Sequence, residues 1–335
     1  MKSVPMPVLA LVATIGCSLA VAAAEPKVSG PYAHDNLTIF LIHADAAGSG
    51  NATAGQYVTL DEALADKQAV VYETGDVNEL AVENLSPDRT LFIQAGDIVK
   101  GGRQDRVLSV DLVLPPGSGR TPITAFCVEH GRWTGRGNES AGNFASASKS
   151  LAGKDLKLAA KAARSQQDVW NAVAKTQAML GDSLGQDVAA VESPTSLQLT
   201  LENTKLEAAV AGHVAAFESL AALKSDTIGY VYAVNGRISG GDIYPSPVLF
   251  RKLWPKLLEA SATEAVAQRA ADGADRTLAI DAVVAFLTAA DGTAPTAEQL
   301  PAGVTLITRD SEEAAAFETR TAAADGWVHR NYIAK

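Results

Sequence analysis

The feature that most constrains this chain is a change of hydrophobic period partway along it. From Leu37 to about Trp133, apolar residues recur at every second position in short runs, divided by glycine, proline, asparagine and aspartate. That is the pattern of half-buried strands. It predicts strands over residues 37–43, 69–73, 79–84, 90–98, 106–114 and 122–130. In the fifth, Leu108, Val110, Leu112 and Leu114 share one side while Ser109 and Asp111 face the other, so one face of the sheet must be covered. After a glycine- and serine-rich connector from Gly135 to Ser150, the period becomes helical. Leu156, Ala159, Ala163, Gln166, Trp170, Val173, Gln177 and Leu180 alternate spacings of three and four, the stripe by which a helix packs. A second helix over 201–223 aligns Leu206, Val210, His213, Phe217 and Leu220.

Beyond these lie a strand over 227–234, the turn Asn235-Gly236-Arg237, helices over 247–269 and 278–289, and strands over 304–308, 315–320 and 327–333. Strands first and helices after favour an α+β fold. The expected fold has a largely antiparallel β-sheet in the N-terminal half, helices from the middle of the chain covering it, and a C-terminal α/β extension. The corresponding division is a leader over 1–24, a main domain over 25–270 and an extension over 271–335 packed on it. The short echo of AGDIV at 95 in GGDIY at 240 hints at related halves, but five residues recur easily by chance.

Lys2, the apolar run from Val4 to about Val21, and Ala22-Ala23-Ala24 before Glu25 make a signal-peptide pattern, so the mature chain is expected to be exported, periplasmic or extracellular. Lipid anchoring at Cys17 is the minority alternative, and no integral membrane segment is expected after signal removal. Removal of the signal takes the formal net charge from −10 to about −11, a balance that disfavours nucleic acid and anionic membrane as partners. It also leaves Cys127 as the sole thiol, so no internal disulfide supports the fold.

Against that acidic background, AGDIVKGGRQDRVLSV at 95–110 places Lys100, Arg103 and Arg106 among glycines. The glycine spacing opens like a phosphate-binding loop, but Gly102 and Arg103 occupy the lysine and hydroxyl positions and a strand follows in place of a helix. Two readings remain: a glycine-rich concavity for phosphate or carboxylate, or a corner whose cations pair with Asp97 and Asp105. In CVEHGRW at 127–133, Cys127 reads as an inert core thiol, and Glu129, Arg132 and Trp133 as a pocket wall or a hydrogen-bonded corner. Gln166, inside an apolar stripe beside Trp170, must reach polar partners, which predicts contact with the Gly96 to Arg106 region. The histidines at 34, 43, 130, 213 and 329 show no metal-ligand spacing, so neither a metal nor a cofactor is expected. The glycines from Gly48 to Gly55 read as a loop.

VTLDEALA at 58–65, VNELAVEN at 77–84, GDIVKGGRQDRVL at 96–108, ITAFCVEHGRW at 123–133, QQDVW at 166–170 and SPVLFRKLWPKLL at 246–258 together resemble the ARG- and rhodanese-phosphatase-superfamily-associated protein domain family, over roughly residues 36–260. The resemblance carries over Gly96, Gly101, Gln104, Arg106, Cys127, Glu129, Gly131, Arg132, Trp133, Gln166 and Trp170, with departures at Gly102-Arg103 and Asp105. It implies a setting of NAD-derived or ADP-ribose metabolism, but no particular reaction. The leading expectation is a domain binding a small anionic ligand, phosphate- or ADP-ribose-like, in a cleft between sheet and helices. Lys100, Gln104 and Arg106 would contact the anion, and Glu129, Arg132, Trp133, Gln166 and Trp170 would line the cleft. The alternatives are a hydrolase with Glu129 as catalytic general acid or base, and a protein–protein interaction module. A raised Glu129 pKa would favour the hydrolase over the binding domain.

Overall fold

The computed structural model describes residues 26–44, 57–269, 278–322 and 326–335. The leader, Cys17 and the Gly48 to Gly55 loop lie outside them. The first half contains β1 (Lys27–His34), β2 (Leu37–His43), β3 (Tyr57–Thr59), α1 (Leu60–Ala65), β4 (Ala69–Glu73), β5 (Glu79–Asn84), β6 (Thr90–Ile93), β7 (Asp97–Gly101), β8 (Arg106–Leu108), β9 (Leu112–Leu114), β10 (Thr121–Cys127) and β11 (Phe144–Leu151). The helical middle contains α2 (Lys154–Lys157), a π-helical turn (Leu158–Ala163), α3 (Gln166–Leu184), α4 (Leu197–Leu201), α5 (Thr204–Phe217) and α6 (Leu220–Leu223). Then follow β12 (Thr227–Val234), β13 (Arg237–Ile243), α7 (Pro247–Ala267), α8 (Ile280–Asp291), β14 (Pro295–Leu300), β15 (Val304–Asp310), β16 (Ala314–Thr321) and β17 (Gly326–Ala334).

The fold is α+β as expected, but among the described residues the strands form three sheets. An eight-stranded sheet runs β1-β2-β12-β13-β17-β16-β15-β14, a six-stranded sheet runs β11-β7-β8-β10-β5-β4, and β3-β6-β9 form the third. Pairing is antiparallel except between β3 and β6. The C-terminal segment supplies four strands of the large sheet, with β17 hydrogen-bonded to β13.

β2 shows why the large sheet needs cover on both faces. Leu37, Ile39 and Leu41 belong to the principal core, while Phe40 and Ile42 join a second cluster with Val283 and Leu287 of α8. Both periods of the strand are apolar, so each face carries a helical layer. α7 covers the first face with Leu249, Phe250, Leu253, Trp254, Leu257 and Leu258, all buried. Its start is fixed by Ser246, whose side chain accepts from the Val248 and Leu249 amides, and by Pro247, whose missing donor costs nothing in the first turn. Residues 204–223 are long and apolar enough to span a bilayer by composition, but the chain divides there into α5 and α6, and α5 buries Leu206, Val210, His213 and Phe217.

Several sequence expectations change. The predicted strand over 90–98 divides into β6 and β7, and that over 106–114 into β8 and β9, which lie in different sheets. The polar side of that run is covered as well: Ser109 and Asp111 are both buried. The connector over 135–150 ends in β11, which pairs with β7. The long helical stripe breaks at Arg164, whose φ is +50°, and α3 restarts behind Ser165, which accepts from the Asp168 amide. Gln166 thus stands in the first turn of a helix, not inside one.

A buried polar seam joins the layers. His329 of β17 lies between two carboxylates, with Nδ1 2.9 Å from Asp111 and Nε2 3.0 Å from Asp242. Only the imidazolium can donate to both. Although burial opposes its charge, these carboxylates raise the His329 pKa above its ordinary value. Asp111 also accepts from the Ala95 amide and the Thr319 hydroxyl, and Asn331 donates to Asp242. Lys161 donates to Asn331, and Lys157 lies 3.7 Å from Asp242. Alongside, Lys256 binds Asp97 and stands 3.3 Å from Asp61. The two aspartates of the repeated pentapeptide thus each face a lysine, from strands in different sheets.

Candidate functional site

The corner between β7 and β8 is shaped by glycine where nothing else fits. Gly102 has φ +57°, and a Cβ there would lie 2.2 Å from the Phe144 ring. The loop turns inward and brings Asp105 and Arg106 under full cover. Asp105 accepts from the Gly101 amide at 2.9 Å, from Ser196 at 2.9 Å and from Arg136 at 3.0 Å. Glu129 accepts from Arg132 at 2.8 and 2.7 Å, from the Asp105 amide at 3.2 Å and from the Ser193 hydroxyl. Burial alone would raise the Glu129 carboxyl, but the hydrogen bonds from Arg132 and Ser193 outweigh it and hold the group below its usual range. A group so held is a poor proton donor near neutral pH.

Glu129, Arg132, Gln166 and Trp170 do come together. Gln166 uses its whole amide on one residue: Oε1 accepts from the Cys127 N–H and Nε2 donates to the Cys127 carbonyl, both at 2.8 Å. Trp170 donates Nε1 to the Glu129 carbonyl at 3.3 Å. Gln166 therefore meets Cys127, the register partner of Arg106 on the neighbouring strand, in place of the expected 96–106 segment. Burial pushes the Cys127 thiol up to about 11, which suits an inert core position. Lys100 turns away and reaches both Glu202 oxygens at 2.7 Å. Gln104 is buried and lends its carbonyl to Arg106 Nη1 at 2.9 Å.

Arg106 is less completely held. Its Nη2 lies 3.5 Å from Glu73, and its buried Nε has no hydrogen-bond partner. Trp133, 39 % exposed, lies over both Arg103 and Arg106, with guanidinium carbons 5.4 and 5.5 Å from the ring centre. Sequence reading missed Glu73, Arg136, Ser193 and Ser196, which join the corner from distant segments and carry no local motif.

Among the described residues, a cavity of about 290 Å³ lies elsewhere, among α2, α3, α4, α5 and α7. A larger but shallower hollow of about 620 Å³ lies beside α1 and β11, against Leu64, Val70, Leu85 and Phe144. In the smaller cavity, Leu151, Leu156, Met179, Leu197, Leu201, Leu206 and Val210 make an apolar interior, while Asp155, Glu202, Glu207, Glu259 and Glu264 stand against Lys154 among its polar lining. Lys175 pairs with Asp155 and Lys100 with Glu202, which leaves Glu207 and Glu264 beside Lys154 on the lining. Gln198 on the wall donates to Glu202 at 2.9 Å, and its buried Oε1 has no partner. Glu264, also on the lining, accepts from Tyr232 at 2.9 Å. Of the residues expected to bind ligand, only Lys100 approaches this cavity, through Glu202.

The fold and its corner define an α+β protein in which helices cover two larger sheets and the Gly96 to Arg106 bend is locked by buried ion pairs. The chain belongs to the ARG and Rhodanese-Phosphatase-superfamily-associated Protein domain family, which it matches over residues 25–333. The match extends past both ends of the 36–260 span suggested by motifs and takes in the C-terminal strands. No curated protein and no solved structure matches the chain significantly.

Proposed function

We propose that the protein is an exported small-molecule-binding domain whose ligand occupies the helix-walled cavity and carries an apolar body with a positively charged, hydrogen-bond-donating head. The observation carrying this reading is the cavity itself: a leucine-rich interior of about 290 Å³ whose polar lining is dominated by carboxylates. An apolar pocket with a few polar groups is the usual form of a small-ligand site. The acidic lining favours a cation over the phosphate-like anion expected from sequence. Export rests on the leader pattern of residues 1–24, and N-terminal sequencing of the secreted chain tests it.

A second reading keeps the anion, at the Arg103–Arg106–Trp133 corner. It is favoured by the unpartnered Arg106 Nε beneath a half-exposed indole. Hydrolysis has less support, because Glu129 is engaged by Arg132, Ser193 and the Asp105 amide and its pKa is lowered. An interaction module has less support too, since the exposed large apolar residues, among them Val77, Leu85, Val191 and Leu223, fall in separate segments.

Thermal unfolding in the presence of decyltrimethylammonium, decyl sulfate, phosphate and ADP-ribose separates these readings. A ligand at 100 times its Kd adds about 2.7 kcal/mol of apparent stability. The ammonium compound is expected to raise the midpoint. A rise with phosphate or ADP-ribose that disappears in Arg103→Ala would move the site to the corner.

A further inference from the structure

A separate cluster sits at the tip of the first hairpin. His34 ends β1, Asp35 and Asn36 form the turn into β2, and His213 projects from the buried face of α5. The ligating atoms of His34, Asp35 and His213 all lie within 4.8 Å of one another. The His34 and His213 rings meet edge to face with centroids 5.3 Å apart, and His34 Nε2 is 4.0 Å from the Asp35 carboxylate.

His213 is the anomaly. It is 1 % exposed, and neither ring nitrogen makes a hydrogen bond of ordinary geometry, although the His34 backbone at the facing hairpin tip comes close enough to act on it. A neutral imidazole carries one donor and one acceptor, and burying both unmatched is costly. Its neighbours along the helix stripe, Val210 and Phe217, are apolar and offer nothing to either nitrogen. The facing hairpin tip supplies a second imidazole and a carboxylate.

The tip is also held in place. Asp35 has φ +49°, and Asn36 Nδ2 donates to the Ala265 carbonyl at 2.9 Å and to Asn235 at 3.2 Å. The backbone beneath the two exposed side chains is therefore fixed against the end of α7 while the side chains themselves can turn. A first-row ion with nitrogen and oxygen ligands at about 2.0–2.2 Å holds neighbouring ligand atoms roughly 3 Å apart. Rotation of His34 and Asp35, whose side chains are 41 % and 61 % exposed, closes the difference.

We propose that His34, Asp35 and His213 form a three-ligand site for a divalent transition-metal ion of the zinc class, with its remaining coordination positions open to water. Two imidazoles and one carboxylate suit zinc, cobalt, nickel or ferrous ion and disfavour magnesium and calcium, which prefer all-oxygen ligands. Arg269 lies within electrostatic reach of His213 and opposes the cation, and Asp35 offsets it. No motif announces the site, because its ligands come from the first hairpin and a helix far along the chain.

The test titrates Co2+ into the purified, untagged protein, follows visible absorption, and then competes the ion with Zn2+. One ion per chain is expected, displaced by Zn2+. His34→Ala and Asp35→Ala remove exposed side chains, so folding should survive, as far-UV circular dichroism would verify. Each should weaken binding beyond the 10- to 100-fold loss, roughly, that accompanies removal of an outer-shell partner, while His130→Ala leaves it unchanged. Absence of a cobalt spectrum in the folded protein, or binding that His34→Ala and Asp35→Ala leave intact, overturns the proposal.

Discussion

Asp111→Asn probes the buried seam most sharply. The substitution preserves shape and can keep the Ala95 amide bond, but it removes the charge that His329 meets at 2.9 Å. Both residues are almost wholly buried, so water cannot replace the lost partner. Breaking one half of a buried pair costs about 3–5 kcal/mol, a large share of the roughly 5–15 kcal/mol that holds a domain folded. At about 2 °C per kcal/mol, the low end for larger domains, the thermal midpoint should fall by roughly 6–10 °C. The assay is thermal unfolding by circular dichroism at several pH values. His329, with its pKa raised on folding, contributes stability fully below about pH 6.5, and that contribution is lost as pH rises through the folded value. Asp111, whose pKa is lowered, contributes above about pH 3.9 and loses its share as pH falls. Lys161, held below its ordinary value by burial, works against the alkaline loss at higher pH. Asp111→Asn should flatten the loss attributable to His329, and adding His329→Gln should cost less than the sum of the single changes. A loss under about 1 kcal/mol, or strict additivity of the two changes, would refute the reasoning, since a contacting charge pair must couple.

Two further outcomes follow from the corner. Gln166→Ala strands both the N–H and the C=O of Cys127, and at about 1–3 kcal/mol per buried unpaired group it should lower the unfolding midpoint while leaving binding in the helical cavity unchanged; denaturation and titration of the same variant check both. The Cys127 thiol, pushed up to about 11, should resist a thiol-specific chromophore at pH 8 in the native protein and react at once in denaturant.

The strands legible in the sequence are those whose alternation and pairing end together. β2, β4, β5 and β12 occupy the residues that period and turn chemistry predict. The 106–114 run was misleading because its alternation persists while the chain passes from the β8 pairing into the β9 pairing, and periodicity reports side-chain direction, not partner. Asp111 could therefore look like a solvent-facing residue although it sits at the centre of the seam. β11 was hidden by the glycines and serines of its approach. At the corner, an amide in an apolar stripe correctly implied polar partners, but the break at Arg164 that sets its direction is a positive φ at a residue type giving no warning. Ser193, Ser196 and the His34–His213 pair depend on long-range proximity, which a single sequence does not display.

The central claim is that the helix-walled cavity holds an apolar ligand with a cationic head. The most direct measurement is calorimetric titration of decyltrimethylammonium, decanol and decyl sulfate into wild type and Ala260→Phe, which places a ring in the cavity from α7. The account predicts affinity falling in that order in wild type, with binding of the ammonium compound lost in a folded Ala260→Phe protein. Equal affinity for the three headgroups, or undiminished binding in the filled variant, would contradict it.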